Sequence, residues 1–266
     1  MFKYIKNNTL SLSFFLSVFI CLFVMSDICL SFEIHPSFIA HAGGAINGRT
    51  ATNSLEALND NYNKGHRFFE VDFCWTSDDN LVAIHDWGEE SSTFREMYFV
   101  PDDIKVPTKD QFLGLKSKLM LTQLSLKDVL EWAKQKGDAF IITDIKSNNI
   151  RGLEKICSEY KSYKKHIIPQ VYSYDEYDVV KHLGYKRIIL TLYKMITTDV
   201  DLLKFSIRNR PYAVTMHWSL AQTGLADYLY KNNIKVYAHT VNDIHQFKKL
   251  QRIGIFGVYT DVLGPL

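Results

Sequence analysis

Phe68-Phe69-Glu70-Val71-Asp72-Phe73 is an apolar, strand-like run that carries two carboxylates. Side chains of a β-strand alternate between its faces with period two, so Glu70 and Asp72 project from the same side. Carboxylates placed side by side repel unless a cation lies between them or one holds a proton. Upstream stands Ile39-Ala40-His41-Ala42-Gly43-Gly44 and downstream Ile84-His85-Asp86. The two histidines add groups that exchange protons near neutral pH. Together these residues suit metal-assisted acid/base chemistry.

Outward from this run the chain alternates short β-rich segments with amphipathic ones. Strands are predicted at 38–41, 68–73, 139–144, 166–171, 187–192, 213–217, 235–240 and 256–260. Helices are predicted between them, at 54–64, 126–136, 152–163, 174–183, 200–209, 225–232 and 244–252. Gly65, Gly137 and Gly184 stand where helices should stop. Strand-then-helix alternation argues for parallel βαβ units, and eight of them fit an α/β fold of the (β/α)₈ TIM-barrel type. A doubly wound open sheet is the rival, but no G-x-G-x-x-G opens the first helix. Residues 81–85 read as an extra strand pairing back after a Thr76–Asn80 turn. Residues from about 87 to 124 then lack a clear period and read as an insertion or lid on the catalytic face.

The 266 residues, 47% of them hydrophobic, suffice for one sizeable domain with a buried core. A net charge of +2 argues against a nucleic-acid surface. Lys3 and Lys6 precede an apolar run from Leu10 to Val24, shorter than the ~20 residues of a spanning helix, and Cys29-x-Ser31 offers a cleavage site. Residues 1–31 therefore read as a secretory signal, with an uncleaved membrane anchor as the alternative, and residues 32–266 as the extracytoplasmic or membrane-tethered domain. Cys74 and Cys157 lie in no metal-binding spacing and read as two inert thiols, a disulfide between them being the other option.

Polar groups cluster at predicted strand ends, where barrel enzymes place their sites: His41 after the first, Glu70 and Asp72 at the second, Asp144 and Lys146 at the third. Singly, each has an ordinary explanation as a cap, a turn former or a solvated charge. Jointly, they aim ionisable side chains at one barrel mouth.

The ordered set of motifs resembles the glycerophosphodiester phosphodiesterase family. His41-Ala42-Gly43 matches that family's His-Arg-Gly, and Thr52-Asn53-Ser54 its Glu-Asn-Thr. Glu70-Val71-Asp72 matches Glu-x-Asp, Thr76-Ser77-Asp78-Asp79 its Thr-x-Asp-Gly turn, and His85-Asp86 its His-Asp. Leu124-Ser125-Leu126, Asp144-Ile145-Lys146 (for Glu-x-Lys), Thr240-Val241-Asn242 and Thr260-Asp261 extend the likeness over nearly the whole mature chain.

The resemblance implies a divalent cation, Ca²⁺ or Mg²⁺, held by Glu70, Asp72 and Asp144, since those ions prefer hard oxygen ligands. It also implies His41 and His85 as general acid and base, Lys146 beside the phosphate, and Asn53 supporting the metal or capping the next helix. The expected reaction is hydrolysis of a small or lipid-derived glycerophosphodiester to glycerol 3-phosphate and an alcohol. A phospholipase D-like or C-like route to a cyclic phosphate is one alternative, and a barrel that binds a phospho-ligand without turnover is another. Two departures stand out. Ala42 replaces the arginine that in the family clamps phosphate, a role left to Arg49 or to lysines elsewhere. Asp144 replaces glutamate, as in the related sphingomyelinase D-like enzymes. Trp87, Trp218 and Tyr237, near strand ends, are candidate head-group contacts, with ordinary core packing the alternative that at least some of them should take.

Overall fold

The computed structural model of the chain describes residues 36–88, 93–193 and 195–265, so residues 1–31, read above as a signal or an anchor, lie outside the described residues. In chain order the strands are β1 (Phe38–Ala40), β2 (Phe68–Trp75), β3 (Leu81–Ala83), β4 (Phe140–Ile145), β5 (Ile167–Val171), β6 (Ile189–Thr191), β7 (Ala213–His217), β8 (Val236–His239) and β9 (Gly257–Thr260). All but β3 run parallel, each bonded to its neighbour. β1 pairs with β9 on one side and β2 on the other, Ala40 opposite Phe69, and this closes the sheet into a (β/α)₈ barrel. A doubly wound sheet would have left both edges open.

Both faces of β2 are buried. Phe68, Glu70 and Asp72 share the inner face, where Phe68 packs with Ile39, Ile142, Ile168 and Ile189 in an apolar plug. Phe69, Val71 and Phe73 meet the apolar stripes of the surrounding helices, Phe69 edge-on to Trp132 at 5.0 Å. Full burial of each such side chain stabilises the fold by roughly 1.5–3 kcal/mol. The helices start on hydroxyl caps: Ser54 Oγ accepts from Ala57 N ahead of Leu55–Asn63, and Ser125 forms a capping box with Asp128 ahead of Leu126–Lys136. Gly137 ends the latter helix at φ 81°, a conformation that costs glycine nothing.

Several boundaries differ from the sequence reading. β2 runs on to Trp75 because its last three residues pair antiparallel with β3, so Glu70 and Asp72 sit mid-strand rather than at its end. The helix predicted at 152–163 spans Asn149–Glu159, and Lys161–His166 forms a 3₁₀ turn. Gly152 is not a helix start but an interior contact: a Cβ there would lie 2.5 Å from Ile145 Cδ1. The aperiodic insertion holds two short helices, Thr93–Met97 and Lys109–Gly114, folded around Phe94, Tyr98 and Phe112. Among the described residues no helix is long and apolar enough to cross a membrane.

Candidate active site

His41 follows β1 directly, in a 3₁₀ turn with Ala42 in the left-handed region at φ 46°. The turn is tied from beneath. Ala42 N–H donates to Glu70 Oε2 at 2.7 Å, and Asn61 Nδ2 donates to the carbonyls of Gly43 and Ala45. Gly44 has φ 86° and lies so close to the Asn61 amide that a Cβ would be 2.4 Å away. His41 Nδ1 lies 2.8 Å from Asp261 Oδ1, and Asn242 fixes Asp261 by donating to its Oδ2 while accepting from its backbone N–H. This leaves Nε2 facing the cavity, 4.0 Å from Glu70 Oε2. Burial by itself would lower the His41 pKa, but the Asp261 hydrogen bond, with the charges of Glu70 and Asp72, pushes it up to about 9.

Glu70 and Asp72 are buried, Asp144 is half-buried, and one oxygen of each lies within 4.8 Å of the others. Lys146 Nζ bridges two of them, 2.5 Å from Asp72 Oδ1 and 2.8 Å from Asp144 Oδ2. Burial pushes Asp72 toward its neutral form, yet the Lys146 ammonium and the nearby histidines hold it down at about 2. For Glu70 the balance reverses: burial and the Asp72 charge push it up to about 8 against the opposing pull of His41 and Lys146. Asn53 clasps Asp72 from both ends, donating to Oδ2 at 2.9 Å and accepting from its backbone N–H at 3.0 Å. The helix-capping alternative for Asn53 falls to Ser54. Tyr172 OH donates to Asp144 Oδ1, and burial next to that carboxylate raises the phenol well above its ordinary range.

The donor set fits a hard divalent cation. Oxygens within 4.8 Å of one another can share an ion at the ~2.4 Å of a Ca²⁺–oxygen bond. The buried Glu70 Oε1 accepts no hydrogen bond among the described residues, an orphaned acceptor in the cluster.

His85 approaches from the loop after β3. Its Nδ1 lies 2.8 Å from Asp86 Oδ2, which also accepts from Thr93 Oγ1 of the insertion at 2.5 Å. A cavity of about 430 Å³ brings together His41, Glu70, Asp72, His85, Asp144 and Lys146, with Gln170, Tyr172, His239 and Tyr259 on its other walls. A second cavity of about 740 Å³ shares His85, Asp86 and Lys146 with it and reaches into the insertion.

Three residues singled out in the sequence do not reach the site. Arg49 is exposed on a turn and lines neither cavity, so it does not replace the missing arginine. Tyr237 is fully buried in the apolar plug, its hydroxyl donating to Pro36 O, because its place on β8 points it inward below the cavity. Trp218 starts a short helix and packs on the outer core and against His217. Trp87 lines the second cavity, its indole N–H donating to Trp75 O and its ring edge-on to Phe94. Cys74 and Cys157 are free thiols, and burial pushes Cys74 up to about 12.

Sequence reasoning assigned no role to Asp261, Asn242, Tyr172 or His239. Asp261 and Asn242 lay in noted motifs without a chemical reason attached. Tyr172 and His239 offered no local signal, since each meets the site only through barrel closure.

The model of the Glycerophosphoryl diester phosphodiesterase family matches residues 42–264 of the chain. The chain belongs to that family. It is a phosphodiesterase. A glycerophosphodiester phosphodiesterase of Thermotoga maritima is 19% identical over 86% of this chain and 96% of its own, with a TM-score of 0.66. One from Parabacteroides distasonis is 19% identical over 85% and 92%, with a TM-score of 0.67. A phosphodiesterase of Oleispira antarctica, solved with the product sn-glycerol-3-phosphate, is 19% identical over 85% and 93%, with a TM-score of 0.64. At these identities the likeness to solved structures speaks for the barrel. Ala42, where the sequence reading expects an arginine, is fully buried.

Proposed function

We propose that the protein hydrolyses glycerophosphodiesters to glycerol 3-phosphate and an alcohol, with His41 and His85 transferring the protons. The observation that carries this reading is a pair of histidine–carboxylate dyads, His41–Asp261 and His85–Asp86, on one cavity that also holds three converging carboxylates. The glycerol 3-phosphate complex of the Oleispira relative supports the substrate class.

Each dyad fixes Nδ1 against a carboxylate and leaves Nε2 for the substrate. His41, kept protonated by Asp261, delivers its Nε2 proton to the departing alkoxide. His85, at the more open side, accepts a proton from the attacking water. Glu70, Asp72 and Asp144 would hold a divalent cation, whose charge would polarise the phosphoryl oxygens. Lys146 places an ammonium beside the same oxygens and neutralises part of the carboxylate charge that would otherwise repel an anionic substrate.

Replacing either His41 or His85 with Ala should abolish turnover while the circular-dichroism spectrum stays native. Full activity in either variant would defeat the assignment. The Asp144-Ile145-Lys146 arrangement favours a second reading, in which a substrate hydroxyl attacks and a cyclic phosphate is released. Phosphorus NMR of the products separates the two routes. For localisation, we propose export: Lys3, Lys6 and the apolar run support a leader or anchor, and intact mass of the mature protein distinguishes them.

A further inference from the structure

The phosphorus of a diester carries two substituents, and the structure offers two chambers that meet at His85, Asp86 and Lys146. The smaller contains the carboxylate cluster. The larger extends along Trp75 and Trp87 to Arg95 and Lys105 of the insertion.

Among the described residues, cations outnumber acidic groups on the wall of the larger chamber. Lys146 is committed to Asp72 and Asp144. Lys105 makes no hydrogen bond or ion pair among the described residues. Arg95 donates from Nη2 to Ile104 O at 3.0 Å and stays 4.0 Å from the fully exposed Asp102, which leaves its charge largely uncompensated. Among the described residues that line this chamber, Asp86 is the one acidic group, and it accepts from Thr93 and faces His85.

The walls are set in place rather than loose. Trp75 N–H donates to Ser147 O, Trp87 N–H donates to Trp75 O, and Arg151 covers one face of Trp75 at 4.5 Å. Cations with spare charge at the end of a preformed cleft select for anions and repel ammonium groups.

We propose that this chamber is the subsite for the second substituent of the diester, and that it selects an alcohol bearing its own anionic group, a phosphorylated or carboxylated polyol, over a quaternary ammonium. The proposal rests on the reading of the neighbouring site as one that cleaves phosphodiesters. It also gives the insertion a task that Ala42 leaves open, the supply of positive charge to the substrate.

The test compares glycerophosphoglycerol with the same diester carrying a terminal phosphate, alongside glycerophosphocholine. Binding to the full-length His41→Ala protein with Ca²⁺ present is followed by tryptophan fluorescence. The phosphorylated diester should bind roughly 5–10-fold more tightly than glycerophosphoglycerol, whose terminal glycerol is uncharged, and glycerophosphocholine more weakly than either. Lys105→Glu should reduce the preference to less than about twofold, and 0.5 M salt should weaken it in the same direction. Equal affinities before the Lys105 change, or a preference that survives it, would overturn the subsite. Turnover is scored separately with the unsubstituted protein: binding without hydrolysis of any of the three defeats the proposed function, while the affinity ratio still decides the subsite.

Discussion

His41 Nδ1 and Asp261 Oδ1, separated by 220 residues in the chain, lie 2.8 Å apart at the seam where β1 meets β9. The last strand of the barrel thus orients a histidine delivered by the first. Asp261→Asn keeps the shape but removes the charge and the enforced tautomer. The kcat should fall by about 10²–10⁴-fold, as in other histidine–carboxylate pairs, with a native melting curve. An unchanged kcat would take Asp261 out of the mechanism.

Gly44 tests how rigidly that histidine is presented. At φ 86° and with the Asn61 amide where a Cβ would go, Gly44→Ala meets both backbone strain and a steric clash. We expect a loss of about 2–4 kcal/mol in urea unfolding, together with lowered activity, because Asn61 also holds the carbonyls flanking the turn. A variant as stable and active as the parent would mean that the turn is not constrained as described.

Lys146 balances buried negative charge, so its removal should make stability respond more strongly to a divalent cation. In chelator, Lys146→Met should destabilise the protein by about 3–5 kcal/mol, since Asp72 and Asp144 lose their cation. Millimolar Ca²⁺ should recover more stability in the variant than in the parent. Thermal melts with and without Ca²⁺ check this, and Glu70→Gln should blunt the Ca²⁺ response.

Glu70 gives the same site a proton signature. Its folded pKa of about 8 lies above the ordinary 4.5, so the folded state binds more protons than the unfolded between those values. Its contribution to stability is therefore complete below about pH 4.5 and is lost as pH rises through 8. Cation binding at pH 7 should consequently release protons, read as buffer-dependent heats in calorimetry. Heats independent of the buffer would show that no proton is displaced.

His239 acts in the opposite sense. Burial, with His217 and His41 close by, lowers its pKa to about 4. Below pH 6.5 the unfolded chain takes up a proton that the folded one refuses, so stability present at pH 7.5 declines toward pH 4. This one residue accounts for about 2 kcal/mol of the decline between pH 7.5 and 4.5. Replacing His239 with Asn should flatten the acid side of the stability profile by that amount, measured as urea midpoints across pH.

Much of the barrel was legible because alternation is a local property. The predicted strands overlap all eight parallel ones, and Gly65, Gly137 and Gly184 do follow helices in left-handed conformations. Errors arose where a neighbour overrode local pattern. β3 drew β2 out past Asp72, and Gly152, expected to begin a helix, lies inside one because Ile145 packs against it. Tyr237 and Trp218 take the core-packing alternative for a related reason: proximity to a strand end in sequence does not say at which height, or on which side of the barrel wall, a ring will pack.

By itself the sequence determined that Glu70 and Asp72 share a face, that strands and helices alternate eightfold, and that two histidines flank the acidic pair. Those features follow from the two-residue period of a strand and the caps that bound helices, both written in adjacent residues. Tertiary structure alone decided that Asp261 steadies His41, that Lys146 spans Asp72 and Asp144, and that Tyr172 reaches Asp144. Such contacts join residues on different strands, and only closure of the sheet sets how far one strand is shifted against the next.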